Sequence, residues 1–518
     1  MFKVLFKYWP LLLIIFFAVA LRLQGLEQLF YFTYDESVPA FVGRRLILWH
    51  HLPLIGGVTP FGVHVTPYFY WFLSGLLYIG HLDPIVWGIA GALIASVTTF
   101  AIYVVGSSFQ DKKLGITASI FWAFSYLANI YDRHLWALYW GPLISLVVIY
   151  SLFKIIRGRN VFIFPLVIAL IWGISADTSN LVFLFFTIFT YGAFKLPIKR
   201  EAIIAIAIFL LSFSPLIFFD LRHDFANTKP FVKFWQAGKN NPGFYSQSFI
   251  ENSMLFPRAF TRLVYTFGDN QISKQYSYCR NIVTQKYAAI PAIFILFSTI
   301  GLVTFVVWSL TRKNRNSWGL FGTLIIMYFF GIQIYGTIFK ADIFEHYLTG
   351  LFAVFILILA KGVSLLPKKI WLVAIAFFVF FNLQKLARAQ NNLGLADKKA
   401  AINFTTSTIG NSPFSLESLS TCWRYSGYRY LFAVYGREPV KSYVDPNFSY
   451  LYGTTAVWDH HPKNVVAFAI HDFIPETDTF YQKYAQYKSH EVKSGIFGNI
   501  EVIIMDNSTG WFDNQNQH

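Results

Sequence analysis

Charged side chains are scarce in this chain of 518 residues, because Asp, Glu, Lys and Arg together make up only 13% of it. An ordinary soluble protein has about 25%. Hydrophobic residues make up 55% and aromatic residues 20%. A soluble fold could not cover so much apolar surface with so few charges. The composition therefore excludes a soluble multidomain protein, a disordered chain, a collagen and a coiled coil, and it predicts a polytopic membrane protein.

Cysteine is nearly absent, and Cys279 and Cys422 are the only two. Two thiols cannot build a metal or redox cluster, while one disulfide on the outer side of the membrane and two free thiols are both open. The P-loop, GxGxxG, GxSxG and HExxH patterns are also missing. The sequence therefore gives no support for cytoplasmic nucleotide chemistry or for the common hydrolase mechanisms.

Long apolar runs are what the chain has instead, and they predict an all-α membrane bundle of about eleven transmembrane helices. Several runs are shorter than the ~20 residues that a bilayer needs. The first is expected to be an uncleaved anchor, although Ala18-Val19-Ala20 also fits a signal-peptidase site. The runs are approximately Pro10–Leu21, Pro84–Val105, Leu114–Leu127, Ala137–Phe153, Val161–Ile174, Leu181–Phe194, Ala202–Phe219, Ala288–Leu310, Leu320–Phe339, Tyr347–Leu359 and Ile370–Phe381.

The net charge of +16 first raises the question of topology, because Lys and Arg concentrate in the cytoplasmic loops of membrane proteins. If the N-terminus with Lys3 and Lys7 is cytoplasmic, every loop on that side is basic and nearly free of acid. Those loops carry Lys112–Lys113, Lys154/Arg157/Arg159, Lys195/Lys199/Arg200, Arg312/Lys313/Arg315 and Lys361/Lys368/Lys369. We therefore predict a multi-pass plasma membrane protein with a cytoplasmic N-terminus and no nucleic-acid partner.

This topology places three long polar segments outside the membrane. They are the loops 24–83 and 220–286 and the chain after Lys385. We predict a transmembrane domain at 1–385 and a small extracytoplasmic α/β domain at 386–518. In the latter, the helix-like stretches Leu386–Thr408 and Tyr428–Tyr435 alternate with the strand-like stretches Val465–Ile470 and Ile500–Met505.

The aromatic run Pro67–Tyr78 lies within the first outer loop. A helix of this length is only about 18 Å long, which is too short to span a bilayer. Counting it as a span would also invert every later loop. We therefore expect a helix that lies in the outer membrane interface, where Tyr and Trp prefer to sit.

Ionisable residues are almost absent from the apolar runs and gather at their outer ends, where an enzyme would meet the head group of a lipid-linked substrate. Asp35 and Glu36 are adjacent carboxylates in aromatic surroundings. One of them could be a general base with a pKa raised by apolar neighbours. A solvated loop or a helix N-cap is the structural alternative. Asp177 falls in a Ser-Ala-Asp-Thr-Ser-Asn turn at an outer boundary.

Three further outer boundaries carry candidates for phosphate binding. His64 opens the interfacial helix, and it either contacts a phosphate or orients a base, or is only a polar residue at a helix start. Arg133 either contacts a phosphate or snorkels to the interface. His346, in Glu345-His346-Tyr347, starts the tenth run from outside and could donate to a phosphate.

The segment Phe219-Asp220-Leu221-Arg222-His223-Asp224-Phe225 directly follows an apolar run. Two acids, an Arg and a His at one membrane edge fit a head-group site, and they fit a structural ion-pair cluster equally well. Arg258 and Arg262 are four residues apart, so they would share one face of a helix. They either clasp a lipid phosphate or face anionic lipid.

The order of these motifs resembles the GT-C membrane glycosyltransferases. More narrowly, it is similar to glycosyltransferase family 39 and its bacterial relatives, the protein O-mannosyltransferases and the aminoarabinose–lipid A transferases. The resemblance covers roughly residues 1–385, and the C-terminal domain has no counterpart of the β-trefoil repeats of the eukaryotic mannosyltransferases. The matching residues are Asp35-Glu36, His64-Val65-Thr66-Pro67 before Tyr68-Phe69-Tyr70-Trp71, Tyr131-Asp132-Arg133-His134, Phe219-Asp220-Leu221-Arg222-His223-Asp224 and Glu345-His346-Tyr347-Leu348.

The resemblance implies a polyprenyl-phosphate sugar donor and an acceptor hydroxyl of a glycan, lipid or protein on the extracytoplasmic face. It implies inversion at the sugar, with Asp35 as the base and Glu36 orienting the acceptor or tuning its partner. It implies no certain cofactor, and a divalent metal stays an open option. The residues expected to bind the substrate or the lipid phosphate are His64, Tyr68, Arg133, Asp220, Arg222, His223, Asp224, His346 and Tyr347.

Other functions fit the sequence less well. A transporter or flippase of lipid-linked sugars usually has charged residues or broken helices near the midplane, which the runs lack. A non-catalytic scaffold would leave the clustered outer charges unexplained. A lipid-linked glycan ligase or polymerase would also work outside, but no Arg-rich outer-loop pattern appears beyond Arg258 and Arg262.

Overall fold

The computed structural model describes residues 2–59, 62–237, 248–268, 290–311, 317–338, 343–391, 394–419, 427–452, 456–470 and 478–515. These residues form a helical bundle followed by a mixed α/β region. Cys279 and Cys422 both lie outside the described residues, so their pairing stays a prediction.

The described part of each predicted apolar run falls on helix, broken in places by a short turn. The helices up to residue 387 are α1 Phe2–Leu23, α2 Leu26–Leu29, α3 Tyr34–Trp49, α4 Tyr68–Ile79, α5 Ile85–Phe109, α6 Lys112–Phe124, α7 Tyr126–Asp132, α8 Gly141–Ile156, α9 Ile163–Ala176, α10 Leu181–Ala193, α11 Arg200–Leu211, α12 Ser214–Arg222, α13 Thr228–Ala237, α14 Phe249–Val264, α15 Ala292–Ser309, α16 Gly319–Gln333, α17 Thr349–Ser364 and α18 Lys368–Ala387.

Seven helical segments of the described chain are long and apolar enough to cross a membrane, and the number is eight if α6 and α7 form one bent span. They are Ile85–Phe109, Ala137–Ile156, Arg200–Arg222, Ala292–Ser309, Gly319–Gly336, Glu345–Ser364 and Lys368–Ala387. Shorter apolar helices are Trp9–Leu23, Tyr68–Ile79, Asn160–Ala176 and Thr178–Ala193. The helical membrane bundle is therefore confirmed, while the count of eleven spans stays a prediction.

The break between α6 and α7 is a bend of 65° at Ser125, whose backbone is not helical. A helix break frees backbone amides and carbonyls that need new partners. The Tyr126 amide donates to Asn382 Oδ1 of α18 at 2.8 Å, and Ser125 Oγ donates to the Leu263 carbonyl of α14 at 2.8 Å. The bend thus directs α7 towards the end of α1.

A buried ion pair joins α1 to α7. Arg22 is 0% exposed, and its Nη2 lies 2.6 Å from Asp132 Oδ2. The neighbouring Arg133 donates from Nη2 to the Leu21 carbonyl at 2.6 Å and from Nε to the Arg22 carbonyl at 3.2 Å. A cation at a helix C-terminus satisfies its last carbonyls and offsets its dipole. These contacts fix the point at which the chain leaves α1 for the first outer loop.

The C-terminal part contains a five-stranded sheet of order β2-β1-β3-β5-β4. β1 runs parallel to β2 and β3, whereas β5 runs antiparallel to β3 and β4. The predicted strands at Val465–Ile470 and Ile500–Met505 are thus confirmed as β3 and β5. The elements are α19 Leu395–Ile409, β1 Phe414–Ser418, α20 Tyr428–Tyr435, β2 Lys441–Ser442, α21 Asp445–Phe448, β3 Asn464–Ile470, α22 Asp478–Ser489, β4 Glu491–Phe497, β5 Ile500–Asp506 and α23 Trp511–Gln515.

The predicted helix-like stretch Leu386–Thr408 is not one helix, because α18 ends at Ala387 and α19 begins only at Leu395. Gly394 precedes α19, and a Cβ atom added there would lie 2.0 Å from the Gln28 carbonyl oxygen. Only glycine permits so close an approach of two backbones. The chain therefore leaves the helix and packs against the first outer loop.

Ion pairs and hydrogen bonds hold the C-terminal part against α3 and the first outer loop. Arg44 Nη2 lies 2.8 Å from Glu438 Oε2, and Arg45 Nη1 donates to the Tyr450 carbonyl at 2.8 Å. Tyr430 Oη donates to the Leu82 carbonyl at 2.8 Å. The two parts thus pack against each other and leave a cavity between them.

Candidate functional site

A cavity of about 860 Å³ is bounded by α3, α4, the ends of several bundle helices and the residues 448–451 of the C-terminal part. Small-molecule sites in proteins commonly have ~300–1,000 Å³. Carboxylates, imidazoles and guanidinium groups line the cavity together with aromatic and aliphatic side chains. Among its ionisable lining residues are Asp35, Glu36, His64, Asp177, Arg222 and His346.

Asp35 lies in the first turn of α3 and its side chain is open to the cavity. No hydrogen bond or ion pair of its carboxylate is present within the described ranges. Protein atoms nonetheless surround this carboxylate on its other sides. This burial, followed by the charge of Glu36, raises the pKa of Asp35 to about 6. Asp35 is thus placed as an accessible carboxylate that can take up a proton near neutral pH.

Glu36 has a different environment, since its side chain is 1% exposed. Its Oε2 accepts hydrogen bonds from Thr33 N and Thr33 Oγ1, both at 2.8 Å, in a capping box. Its Oε1 forms an ion pair with His134 Nε2. Burial alone would raise the pKa of Glu36, but His134 and Thr33 outweigh it and hold the pKa below its usual value. Glu36 therefore stays ionised and is occupied by structural contacts.

His134 follows Arg133 in the motif Tyr131-Asp132-Arg133-His134 and was not among the residues predicted for the site. Burial would lower its pKa, but the adjacent Glu36 outweighs burial and raises it. The ring stacks on Trp136 at 5.0 Å, and the ring of Trp136 packs edge-to-face against that of His346, also at 5.0 Å between centroids. The row of three rings connects Glu36 with His346 at the cavity wall.

Arg222 and His223 of the predicted charge cluster line the cavity, but the two acids of that cluster do not. Asp220 is buried and accepts hydrogen bonds from Asn227 N at 2.7 Å and Thr228 Oγ1 at 2.6 Å. Asp224 is 89% exposed and pairs with Lys229 at 2.5 Å. The structure thus divides the cluster into two cavity residues, one buried carboxylate and one carboxylate at the surface.

His64 lines the cavity through the segment that precedes α4. Its Nδ1 lies 2.9 Å from the Gly56 carbonyl oxygen. Its backbone amide donates to Asn227 Oδ1 at 2.6 Å, and Asn227 is itself held by Asp220. Asp220 therefore does not reach the cavity itself, but it holds Asn227, which in turn positions His64.

Two other predicted residues lie elsewhere. Tyr68 Oη donates to the Ser212 carbonyl at 2.6 Å, and Arg133 binds the carbonyls at the end of α1. Neither lines the cavity, whereas His346 and Tyr347 both do. The roles of these four residues in substrate binding stay predictions.

The structure also brings residues to the site that the sequence did not single out for it. Asp177 lies in the turn between α9 and α10, and its charge adds to the rise in the pKa of Asp35. Burial raises the pKa of Asp177 as well, against the hydrogen bonds from Ser179. Arg45 also lines the cavity. Arg262 does not line the cavity and instead forms a buried ion pair with Glu345, at 2.5 Å between Nη1 and Oε1.

We next consider whether the described residues could bind a divalent metal ion. No group of three or more His, Cys, Asp or Glu side chains that could hold a metal occurs in the part of the chain that the structure describes. A carboxylate-bound Mg²⁺ or Ca²⁺ needs several oxygen ligands. No step of the mechanism proposed below therefore passes through a metal.

No known protein-family model and no curated protein matches the chain. Among solved structures, the chain is similar to ArnT from Cupriavidus metallidurans bound to undecaprenyl phosphate, with a TM-score of 0.47 and 11% identity over 95% of this chain and 97% of that one. It is also similar to the archaeal oligosaccharyltransferase AglB from Archaeoglobus fulgidus in complex with an inhibitory peptide and a dolichol-phosphate, with a TM-score of 0.46 and 12% identity over 89% and 70% of the two chains. We take no function and no residue's role from these likenesses.

Proposed function

We propose that this protein is a membrane glycosyltransferase that moves a sugar from a polyprenyl-phosphate donor to an acceptor hydroxyl on the extracytoplasmic face. The observation that carries the proposal is the placement of Asp35. Its carboxylate is open to the cavity, has no described partner, and has a pKa of about 6. A general base works best when its pKa lies near the working pH and its oxygen atoms are free to accept a proton.

The chemistry needs one base and a stabilised leaving group. In our proposal Asp35 accepts the proton of the acceptor hydroxyl while that oxygen bonds to the anomeric carbon of the sugar. The bond from this carbon to the phosphate oxygen breaks, and its electron pair leaves with the phosphate. A single displacement of this kind inverts the anomeric centre. Glu36 is the partner that orients His134 and keeps its own charge.

Hydrogen-bond donors of the cavity would bind the departing phosphate. The guanidinium of Arg222 and the ring N–H groups of His64 and His346 reach the cavity from three different elements. Donors aimed at the place where negative charge develops are commonly the largest single contribution to catalysis. The prenyl chain would extend among the apolar helices, and the aromatic residues of the cavity would stack on the sugar.

The proposal also includes the orientation of the chain in the membrane. We infer that the N-terminus is cytoplasmic, that residues 1–385 form the catalytic membrane domain, and that residues 386–518 lie outside. Lys113 Nζ donates to the Ser364 carbonyl at 2.7 Å, so the basic ends of α6 and α17 lie on one side of the bundle, as the alternation of charged loops requires.

A transfer assay tests the proposal. Membranes containing the wild-type protein or Asp35→Asn, at matched protein levels, would receive radiolabelled polyprenyl-phosphate hexose. Glu201→Gln is the matched control, because Glu201 starts α11 and does not line the cavity. We expect the wild type and the control to transfer label to a polymer, lipid or protein. We expect Asp35→Asn to lose at least about 100-fold, the low end of what a general base contributes.

Two other outcomes would contradict parts of the proposal. Full transfer by Asp35→Asn would show that Asp35 is not the base. No transfer by the wild type would contradict this class of donor, and flux of the lipid-linked sugar across sealed vesicles would then test a transporter.

A further inference from the structure

Asp177 lies in the turn between α9 and α10, and it lines the cavity. Its backbone is extended, and its carboxylate caps the short 3₁₀-helix Thr178–Asn180 by accepting a hydrogen bond from Ser179 N at 2.7 Å. The side chain of Asn180 donates to the Gly173 carbonyl at 3.0 Å and closes the turn against α9. The carboxylate of Asp177 is therefore held at a defined place in the cavity wall.

The turn does not require the negative charge of Asp177, because Asn and Ser cap helix starts about as well as Asp does. Ser179 is the only hydrogen-bond partner of this carboxylate among the described residues, and no described cation pairs with it. The carboxylate also directly follows α9, and the C-terminus of a helix favours cations rather than anions. A carboxylate can accept about four hydrogen bonds. Asp177 can thus accept further hydrogen bonds from a ligand in the cavity.

The wall that carries Asp177 also carries His64. Ser175, two residues before Asp177, is buried. Its Oγ donates to the Thr66 carbonyl at 3.0 Å and accepts from the Phe69 amide at 3.0 Å. The end of α9 is thereby fixed to the start of α4, close in the chain to His64. Since His64 binds the donor phosphate in the proposed function, the sugar attached to that phosphate is expected next to Asp177.

We propose that Asp177 is a specificity-determining residue that accepts a hydrogen bond from a hydroxyl group of the donor sugar. An ionised carboxylate only accepts hydrogen bonds and repels a phosphate, whereas a sugar hydroxyl is a neutral donor. A site built to bind a hydroxyl group also rejects analogues that lack it. Asp177 thus orients the sugar, while Asp35 accepts the proton of the acceptor hydroxyl. This inference rests on the proposed function, but its first test does not require transfer.

Chemical protection of Asp177 is the first test. A water-soluble carbodiimide with an amine nucleophile labels accessible carboxyl groups. Asp177 is the only acid between Arg159 and Lys195, so mass spectrometry of that tryptic peptide reports this residue alone. The full-length protein in detergent would be labelled without ligand, with polyprenyl phosphate, or with polyprenyl-phosphate hexose. Binding of each lipid is measured separately, by its stabilisation of the protein against thermal unfolding.

We expect only the sugar-bearing lipid to protect Asp177. At a concentration about ten times its Kd, it should lower the labelling about ten-fold, because few sites are then empty. Polyprenyl phosphate should leave the labelling at the ligand-free level. Equal protection by both lipids, or protection by neither although both bind, overturns the inference alone, as does a ligand-free protein in which Asp177 is not labelled. Binding of neither lipid contradicts the proposed donor, and the inference falls with it.

Sugar selectivity is the second test, in a protein that transfers. The ratio of kcat/KM for the hexose donor to that for its monodeoxy analogues measures selectivity, and a general loss of activity leaves this ratio unchanged. Asp177→Asn keeps an oxygen for the Ser179 amide but removes the charge. We expect the ratio to fall at least about ten-fold for one hydroxyl position, the low end for a hydrogen bond to a charged group.

Asp111→Asn is the matched control for selectivity. Asp111 caps α6 by accepting from Leu114 N at 2.8 Å, and it does not line the cavity. The control should keep the wild-type ratio at every hydroxyl position. Wild-type ratios at every position in Asp177→Asn, or an equal fall in Asp111→Asn, would overturn the role of Asp177 in selecting the sugar.

Discussion

Glu36 and His134 form a buried ion pair at the start of α3, while the adjacent Asp35 opens into the cavity. Consecutive residues of a helix point about 100° apart, so one side chain can face the protein while its neighbour faces a substrate. The pair of acids therefore divides into one carboxylate with several structural contacts and one that is accessible from the cavity.

The first prediction concerns stability. Glu36→Gln should destabilise the protein, because it removes the charged acceptor of the capping box and leaves His134 without its anionic partner. Breaking a buried ion pair from one side typically costs about 3–5 kcal/mol. The measurement is thermal unfolding of the purified protein in detergent. Asp35→Asn is the comparison and should unfold within a degree or two of the wild type, since Asp35 has no described partner to lose. Equal melting of all three proteins would show that the Glu36–His134 contact adds nothing.

The second prediction concerns pH. Burial and the neighbouring Glu36 raise the pKa of Asp35 to about 6, so this carboxylate is protonated below that pH and ionised above it. A base must be ionised to accept a proton. We expect kcat/KM for sugar transfer to rise with pH through a midpoint near 6 and to level off above about pH 7. A midpoint near 4, the ordinary value for an Asp, would mean that a well-hydrated carboxylate is the base.

The third prediction concerns the phosphate. Arg222 lines the cavity and has no described ion pair, so Arg222→Gln should leave folding unchanged and weaken catalysis. We expect a loss of about 10²-fold or more in kcat/KM, the size seen when one group that stabilises developing negative charge is removed. Lys229→Gln is the control, since Lys229 lies nearby but pairs with the exposed Asp224. Comparable losses in both variants would indicate a general effect of basic charge rather than a contact in the cavity.

The fourth prediction separates a structural acid from a catalytic one. Asp220→Ala should lower the melting temperature, because the buried amide of Asn227 loses its acceptor at a cost of about 1–3 kcal/mol. Since Asn227 holds His64, transfer should also fall, but with the same pH midpoint as the wild type. Thermal unfolding followed by circular dichroism measures the loss of stability, and the pH profile of transfer measures the midpoint. A shifted midpoint with normal stability would instead place Asp220 in the chemistry.

Several features of the site follow from sequence alone. Adjacent carboxylates after the first apolar run, and charged residues at the outer ends of the later runs, predict where polar chemistry can occur in a chain with so little charge. Asp35, His64, Arg222, His223, His346 and Tyr347 all line one cavity, as expected of a common site.

Other features of the site are visible only in the folded chain. The sequence shows Arg133 and His134 side by side, but only packing shows that Arg133 binds the end of α1 whereas His134 pairs with Glu36. Likewise, Asp220 and Arg222 lie two residues apart, and the helix turns one side chain to the interior and the other to the cavity. A linear pattern shows which residues are charged, and the direction of each side chain shows what the charge contacts.

By itself, the sequence determined that this is a helical membrane protein with a C-terminal region of mixed helix and strand, because apolar runs and their alternation are local properties of the chain. Only the tertiary structure decided that Glu36 is held by His134 and Thr33 while Asp35 opens to the cavity, and that His64, Arg222 and His346 line the same cavity. Contacts between distant segments depend on how the helices pack, and that packing cannot be predicted from composition, periodicity and spacing.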